Sequence, residues 1–325
     1  MAKALGLMSG GLDSTLAAMT LMRQGVEVVG ISFETPFFNA DKAKSAAQQI
    51  GYPLIVKDIG EVHLEVLKKP KYGYGRNMNP CIDCHALMFR LAGEMMQEQG
   101  FDFLFSGEVL GQRPMSQNAN ALRSVANHSG YPDKVLRPLS AKLLPETPME
   151  IAGLVDREQL LDIQGRSRKP QQAYAREWGY LDFPSSAGGC LLTEVGFSNR
   201  LRDQLTHNPA STVVDMELLK VGRQFRLSDR SKLILGRNRA DNDALNQVLQ
   251  DSGMRLRCRD FSGPLGVLRG CPDDADRLKA AGIVASYGKG KDEAAVEVLF
   301  FGDGQEFCLN VAPTPREICM QAILS

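Results

Sequence analysis

Residues 9 to 14 read Ser9, Gly10, Gly11, Leu12, Asp13, Ser14, between a short apolar run (Ala4 to Met8) and an amphipathic stretch (Thr15 to Arg23). Glycines between a strand and a helix let the backbone approach an anion without a β-carbon in the way. The unpaired N–H groups and the dipole of the helix then favour negative charge at that terminus. Ser9 and Ser14 add hydroxyl donors. No Lys precedes the final Ser, so the phosphate cradle of ordinary kinases and GTPases is disfavoured.

The second chemical group is made of cysteines. The chain has seven, at positions 81, 84, 190, 258, 271, 308 and 319. An odd number without a secretory leader speaks against a disulfide framework and for reduced or metal-bound thiols. Cys81 and Cys84 form a C-x-x-C within Asn79, Pro80, Cys81, Ile82, Asp83, Cys84, His85, and Cys190 follows Ser185, Ser186, Ala187, Gly188, Gly189. The glycines permit close backbone approach to a bulky inorganic group. Structural zinc calls for about four protein ligands, and His85 is awkward as a fourth because it adjoins Cys84. A [4Fe-4S] cluster on three cysteines keeps one iron open. The rival chemistry on the same residues is a persulfide on one Cys, resolved by another through a disulfide. Cys258, Cys271, Cys308 and Cys319 read as small buried hydrophobes.

Around the C-x-x-C lie Lys68, Lys69, Lys71, Arg76, Tyr72 and Tyr74, suited to phosphates and stacked bases or to a solvated loop. Arg166, Arg168 and Lys169 form a smaller basic group that either faces the same substrate or caps a preceding helix. His63, His128 and His207 stand outside any ligand spacing and read as surface or packing residues.

These residues must be held by a scaffold. After the first strand and helix, Val26 to Phe33 is an apolar run, Asp41 to Ile50 an Ala-rich helix ending at Gly51, and Pro53 to Val56 another strand. Phe101 to Phe105 is a further strand, running into Ser106, Gly107, Glu108, Val109, Leu110, Gly111, Gln112, Arg113, and Thr147 to Leu161 reads as a helix covering the sheet. Alternating strands and helices predict an α/β, doubly wound parallel sheet with ligands beyond the carboxyl ends of the strands. A change of texture near Asn199 to Asn208 divides residues 1–200 from a smaller α/β domain at 201–325.

At 325 residues the chain is long enough for two or three domains. Lys plus Arg equals Asp plus Glu at 38 each, so net charge makes no case for nucleic acid. The stretch from Lys220 to Arg239 does, with seven basic residues against Asp229. It suits a phosphate backbone, or a solvated basic face. No apolar run reaches the roughly 20 residues that span a bilayer, and the N-terminus lacks a secretory pattern, so the expected location is the cytoplasm without membrane contact.

The loop at Ser9–Ser14 resembles the SGGxDS signature of the PP-loop ATP pyrophosphatases, which cleave ATP between the α and β phosphates and adenylate a carbonyl oxygen. The resemblance implies an adenine nucleotide α-hydrolase-like fold, ATP and Mg²⁺, with Met8, Ser9, Gly10, Gly11, Asp13, Ser14, Phe33, Gly107 and Gln112 at the nucleotide. Ser106 to Gln117 resembles a stretch of the tRNA 4-thiouridine synthetase branch, departing from it at Arg113 and Pro114, and Arg137, Pro138, Leu139 match a segment that follows there. A C-x-x-C plus a distant Cys on such a domain resembles the iron-sulfur-dependent tRNA thiouridylases, implying Cys81, Cys84 and Cys190 as cluster ligands. The NPCxxC run also appears in the 2-thiouridylase branch. Residues Leu233 to Leu245, Ala280 to Lys291 and Val296 to Phe301 resemble the NFACT-type RNA-binding domain. Together these imply a tRNA sulfurtransferase with Asp13, Cys81, Cys84 and Cys190 in the chemistry, taking sulfur from sulfide or a carrier. Three alternatives stand beside it: a sulfur enzyme acting on a small molecule, a non-catalytic RNA-binding factor, and a C-terminal domain used for homodimer assembly.

Overall fold

A computed structural model describes residues 1–184, 189–250 and 252–324. The chain divides into two units, Met1–Leu191 and Leu192–Ser325.

In the first unit, strands β1 (Lys3–Leu7), β2 (Glu27–Glu34), β3 (Leu54–Asp58), β4 (Phe103–Ser106) and β5 (Val135–Leu136) form one sheet in the order β3-β2-β1-β4-β5. Every pairing is parallel, with Gly6 opposite Gly30 on one side and Phe105 on the other. Strand order reverses between β1 and β4, which places the crevice for ligands at their carboxyl ends. Alternation of side chains builds two cores. Ala4, Met8, Val28, Phe103 and Phe105 pack with helix α1 (Leu12–Met22) and Ala43 and Ala47 of α2 (Asp41–Ile50). Leu5, Ile31, Phe33 and Leu104 pack with Phe89 and Ala92 of the later helix Cys81–Gln99.

The opening helix differs from expectation, since its residues are buried on most sides rather than along one stripe. A larger difference lies at 147–161. Thr147 and Glu150 do form a capping box, but the helix lasts only from Pro148 to Ile151, because Gly153 turns out at φ +66° and Asp156 starts a separate short turn. The chain continues as irregular segments, with Ile163 and Gly165 hydrogen-bonded to Leu139 and Leu110.

The second unit holds helices Val195–His207 and Val213–Leu218 and a seven-stranded sheet in which every pairing is antiparallel. The polar stretch at Asn199–Asn208 is largely the first of these helices, C-terminal to the division at Leu191. Helices Arg239–Leu249 and Asp274–Ser286 are each capped by an acidic or amide side chain, Asn238 and Asp273. The second packs Ala280, Ala281, Val284 and Ala285 onto the sheet beside Phe225, Leu256 and Phe300. Among the described residues no helix is long and apolar enough to cross a membrane.

Candidate active site

The loop Ser9–Ser14 is shaped by its glycines. Gly10 adopts φ +69°, and a β-carbon there would lie 2.1 Å from the backbone of Lys42. Gly11 caps α1 in extended conformation without a side-chain cap, which leaves the first-turn N–H groups to an incoming ligand. Ser9 Oγ stands 3.1 Å from Ser14 Oγ, and Ser14 donates to the carbonyl of Gly11. Gly107, just past β4, comes so near that a β-carbon on it would meet Ser14 N at 2.4 Å.

Asp13 lies within this arrangement. Its Oδ2 accepts from Gln112 Nε2 at 2.7 Å and from Arg168 Nη2 at 3.3 Å, and Gln112 Oε1 accepts from Gln171 Nε2 at 2.9 Å. Asp13 Oδ1 is buried with no hydrogen-bond partner among the described residues. A buried, unpaired carboxylate oxygen beside a phosphate loop fits an oxygen ligand for Mg²⁺. Arg168 and Gln171 belong to the helix Lys169–Glu177 and its N-terminal flank, so the basic group at 166–169 begins a helix rather than capping a preceding one. Met8 and Phe33 place their side chains in the two opposite cores, which leaves only their backbone to the loop end of the sheet.

The thiols assemble at the same sheet edge. Helix Cys81–Gln99 leads into β4 and therefore starts at the carboxyl end of the strands, with Cys81 and Cys84 in its first turn. Asn79 Nδ2 donates to Cys81 Sγ at 3.2 Å. Burial pushes the Cys84 thiol well up, and nearby Cys190, Cys81 and Asp83 push it further, so the three sulfurs share one electrostatic environment. The residue after Cys190 is anchored by Leu191 N–H donating to Phe37 O at 3.0 Å. Ser185, Ser186, Ala187 and Gly188 lie outside the described residues. The donor set fits a thiophilic metal group in type, although among the described residues no three His, Cys, Asp or Glu side chains stand in a closed metal-binding arrangement.

His85, weighed as a fourth ligand, turns elsewhere: its Nδ1 lies 2.9 Å from Glu108 Oε1. Arg137 donates from Nε to Glu108 Oε2 at 2.9 Å and from Nη2 to Leu122 O. Burial alone would raise the Glu108 carboxyl, but Arg137 and His85 outweigh it and hold it at about 2. Glu108 follows Gly107 directly, so this network ties the cysteine helix to the segment that lies against Asp13 and Ser14.

The histidine that meets a thiol is His63, read from sequence as surface or packing. It is fully buried, edges against Phe37 and Phe38, and brings Nε2 to 3.3 Å from Cys84 Sγ. Burial pushes its pKa down to about 4, leaving the ring neutral. Its burial had a sequence signal, since Gly60, His63, Leu64 and Leu67 form one helical stripe. Its contact had none, because 21 residues separate it from Cys84.

Asp83 accepts from the backbone N–H groups of Lys71 and Tyr72, ordering the segment before the C-x-x-C. A cavity of about 220 Å³ opens there, lined by Lys69, Lys71, Arg90, His128 and the apolar Val66 and Leu87. In the second unit the basic stretch is largely neutralised in space. Lys220 meets Glu217, Arg226 meets Asp203, Arg230 meets Asp273, Arg237 meets Asp241 and Arg239 meets Asp243. Cys258 and Cys319 are buried as expected, whereas Cys271 is exposed and Cys308 half-buried, the first beside the turn at Gly270 and the second on an outer strand.

Residues 1–143 match the family profile described as Thiamine biosynthesis protein (ThiI), and residues 222–322 match the NFACT protein RNA binding domain. The "Probable tRNA sulfurtransferase" of Staphylococcus aureus (strain MRSA252) is 29% identical over 144 residues, 42% of this chain and 34% of that protein. The chain thus spans about a third of the length of the curated relatives it matches. Among solved structures, a 4-thiouridine synthetase–RNA complex with bound ATP is 21% identical, covering 55% of this chain and 53% of that one at a TM-score of 0.35. The C-terminal part of a fibronectin/fibrinogen-binding protein from Streptococcus suis is 14% identical over 39% of this chain and 68% of that one, at 0.29. The chain thus joins a segment similar to the ThiI family, residues 1–143, to one similar to the NFACT RNA-binding domain, residues 222–322.

Proposed function

We propose that this chain is an ATP-dependent tRNA sulfurtransferase working in the cytoplasm, where thiols stay reduced. One observation supports the reading: the glycine-shaped loop Ser9–Ser14 and the first turn carrying Cys81 and Cys84 lie at the same edge of one parallel sheet, with Cys190 near enough to raise the Cys84 thiol. Oxygen is a poor leaving group from an amide-like carbon. Adenylation makes it a good one, so an enzyme replacing it with sulfur needs a nucleotide site and a sulfur site side by side.

In this mechanism a uridine carbonyl oxygen attacks the α-phosphate of ATP and pyrophosphate leaves. Ser9, Ser14 and the N–H groups at Gly10 and Gly11 hold the pyrophosphate, and Asp13 offers its unpaired oxygen to Mg²⁺. Gln112 and Arg168 fix the Asp13 carboxylate, and this electrostatic positioning supplies most of the acceleration. Sulfur then attacks the activated carbon and AMP departs. Cys81, Cys84 and Cys190 are the groups of this chain that handle the sulfur. A [4Fe-4S] cluster, when bound by these thiols, supplies an open iron able to carry it. The target base must leave its stack, at a cost of a few kcal/mol, and the NFACT domain is the element suited to grip the RNA meanwhile.

The test is anaerobic reconstitution with iron and sulfide, read by metal analysis and Mössbauer spectroscopy for wild type, Cys81→Ala, Cys84→Ala and Cys190→Ala, with thiolation of bulk tRNA assayed alongside. A cubane signature lost in each variant together with thiolation supports the cluster route. Thiolation without iron, with a disulfide trapped between Cys190 and Cys81 or Cys84, replaces the cluster by persulfide chemistry. No ATP-dependent thiolation under either condition overturns the assignment.

A further inference from the structure

We infer that His63 is a positioning residue of the sulfur site, donating its Nε2–H to the sulfur of Cys84. The ring is fully enclosed, with Phe37 at 5.5 Å and Phe38 at 5.6 Å between centroids, so solvent does not satisfy its nitrogens. Nε2 faces Cys84 Sγ at 3.3 Å, and Nδ1 is buried with no hydrogen-bond partner among the described residues. A neutral imidazole carries one N–H. Placing it on Nδ1 would strand a buried donor and ask a thiol, a weak donor, to serve Nε2. Placing it on Nε2 leaves only an unused lone pair and points a good donor at sulfur, an arrangement that strengthens as the sulfur becomes negative.

The geometry reaches further than one thiol. Phe37, which flanks the ring, also accepts the hydrogen bond from Leu191 beside Cys190. His63 and Phe37 thus brace the sulfur of Cys84 and the backbone next to Cys190 from one place. A donor to a ligating sulfur also raises the potential of a bound cluster, since hydrogen bonds to the sulfurs offset its negative charge. That last effect rests on the cluster reading proposed above; the tautomer and the contact do not.

Two measurements separate the ideas. In full-length protein with ¹⁵N-labelled histidine and no metal, long-range ¹H–¹⁵N correlation is expected to show His63 as the Nε2–H tautomer, with its Nε2 resonance moving in Cys84→Ala. An Nδ1–H tautomer, or no response to Cys84→Ala, overturns the assignment. In anaerobically reconstituted protein, His63→Leu is expected to shift the reduction potential downward and His63→Gln, which keeps a donor, to restore much of it. Equal shifts in the two variants, or none, make His63 a packing residue only. Failure of wild type to hold iron sinks the cluster reading and leaves the magnetic resonance result to decide His63.

Discussion

Gly107 lies against Ser14 at a distance that only a residue without a side chain allows, since a β-carbon would stand 2.4 Å from the Ser14 backbone nitrogen and 2.5 Å from Asp13 C. The obstructing atoms are main chain and cannot swing aside. Gly107→Ala is expected to push the start of α1 away from the loop after β4, destabilising the chain by about 1–3 kcal/mol. A displacement near 1 Å at a catalytic group costs about 100-fold in rate. Pyrophosphate release should fall by about that factor while RNA affinity holds. Unchanged pyrophosphate release would mean that the nucleotide binds elsewhere.

Arg137 neutralises a carboxylate that is 4% exposed, donating from Nε to Glu108 and from Nη2 to Leu122 O. Arg137→Met strands the Glu108 charge and should cost about 3–5 kcal/mol. The native pair also predicts a pH dependence. Glu108 is held at about 2, below its ordinary 4.5, so the stabilisation is complete above about 4.5 and disappears as pH falls toward 2. Denaturant melts across that window should show the loss, and Glu108→Gln should flatten it. A slope unchanged by Glu108→Gln would assign the acid sensitivity to other carboxylates.

Lys232 is a buried cation that costs stability rather than adding it. Its Nζ is buried without a hydrogen-bond partner among the described residues, and burial lowers its pKa from 10.5 to about 7, with Asp203 pulling the other way. The unfolded chain therefore holds the proton between pH 7 and 10.5 while the folded chain releases it, so folding stability contributed by this group rises with pH across that range. Lys232→Met should remove the slope and raise stability below pH 7, read by chemical denaturation of the full chain at fixed ionic strength. Equal slopes for the variant and the wild type would place the charge in solvent.

The pairing in the basic stretch divides its arginines by task. Arg226 is committed to Asp203 and to the carbonyls of Ser228 and Ser231, whereas Arg239 is 95% exposed beyond a loose 3.8 Å contact with Asp243. Arg239→Ala is expected to lower the slope of log affinity for tRNA against log salt by about 0.7–0.9, the share of one phosphate contact. Arg226→Ala should leave that slope alone and reduce stability. The reverse pattern would put the RNA on the Arg226 side.

Where local rules govern, the chain was readable. The glycines of Ser9–Ser14, the Gly51 stop and the alternating strands each carry their reason within a few residues, and the parallel sheet followed from them. The helix predicted at 147–161 broke at Gly153, where a positive φ ended a well-capped start after one turn. The roles of His63, Gln171 and Arg168 were illegible, because each is defined by a contact made across a long stretch of chain. The pairing of the Lys220–Arg239 stretch was illegible for the same reason, since the acids that meet it, Asp203, Glu217, Asp241, Asp243 and Asp273, all lie outside it.

One continuous stretch, from Cys81 to Glu108, contains Cys81 and Cys84, the helix presenting them, strand β4 and the carboxylate that meets His85. These parts are contiguous in sequence, so a crossover between genes separates the cysteine turn from the loop after β4 only by cutting inside the stretch. Cys190 alone arrives from a distant segment. A lineage that lost it would keep the sheet, the loop and the buried Glu108 network intact, and under the proposed function would lose sulfur handling before any other property of the domain.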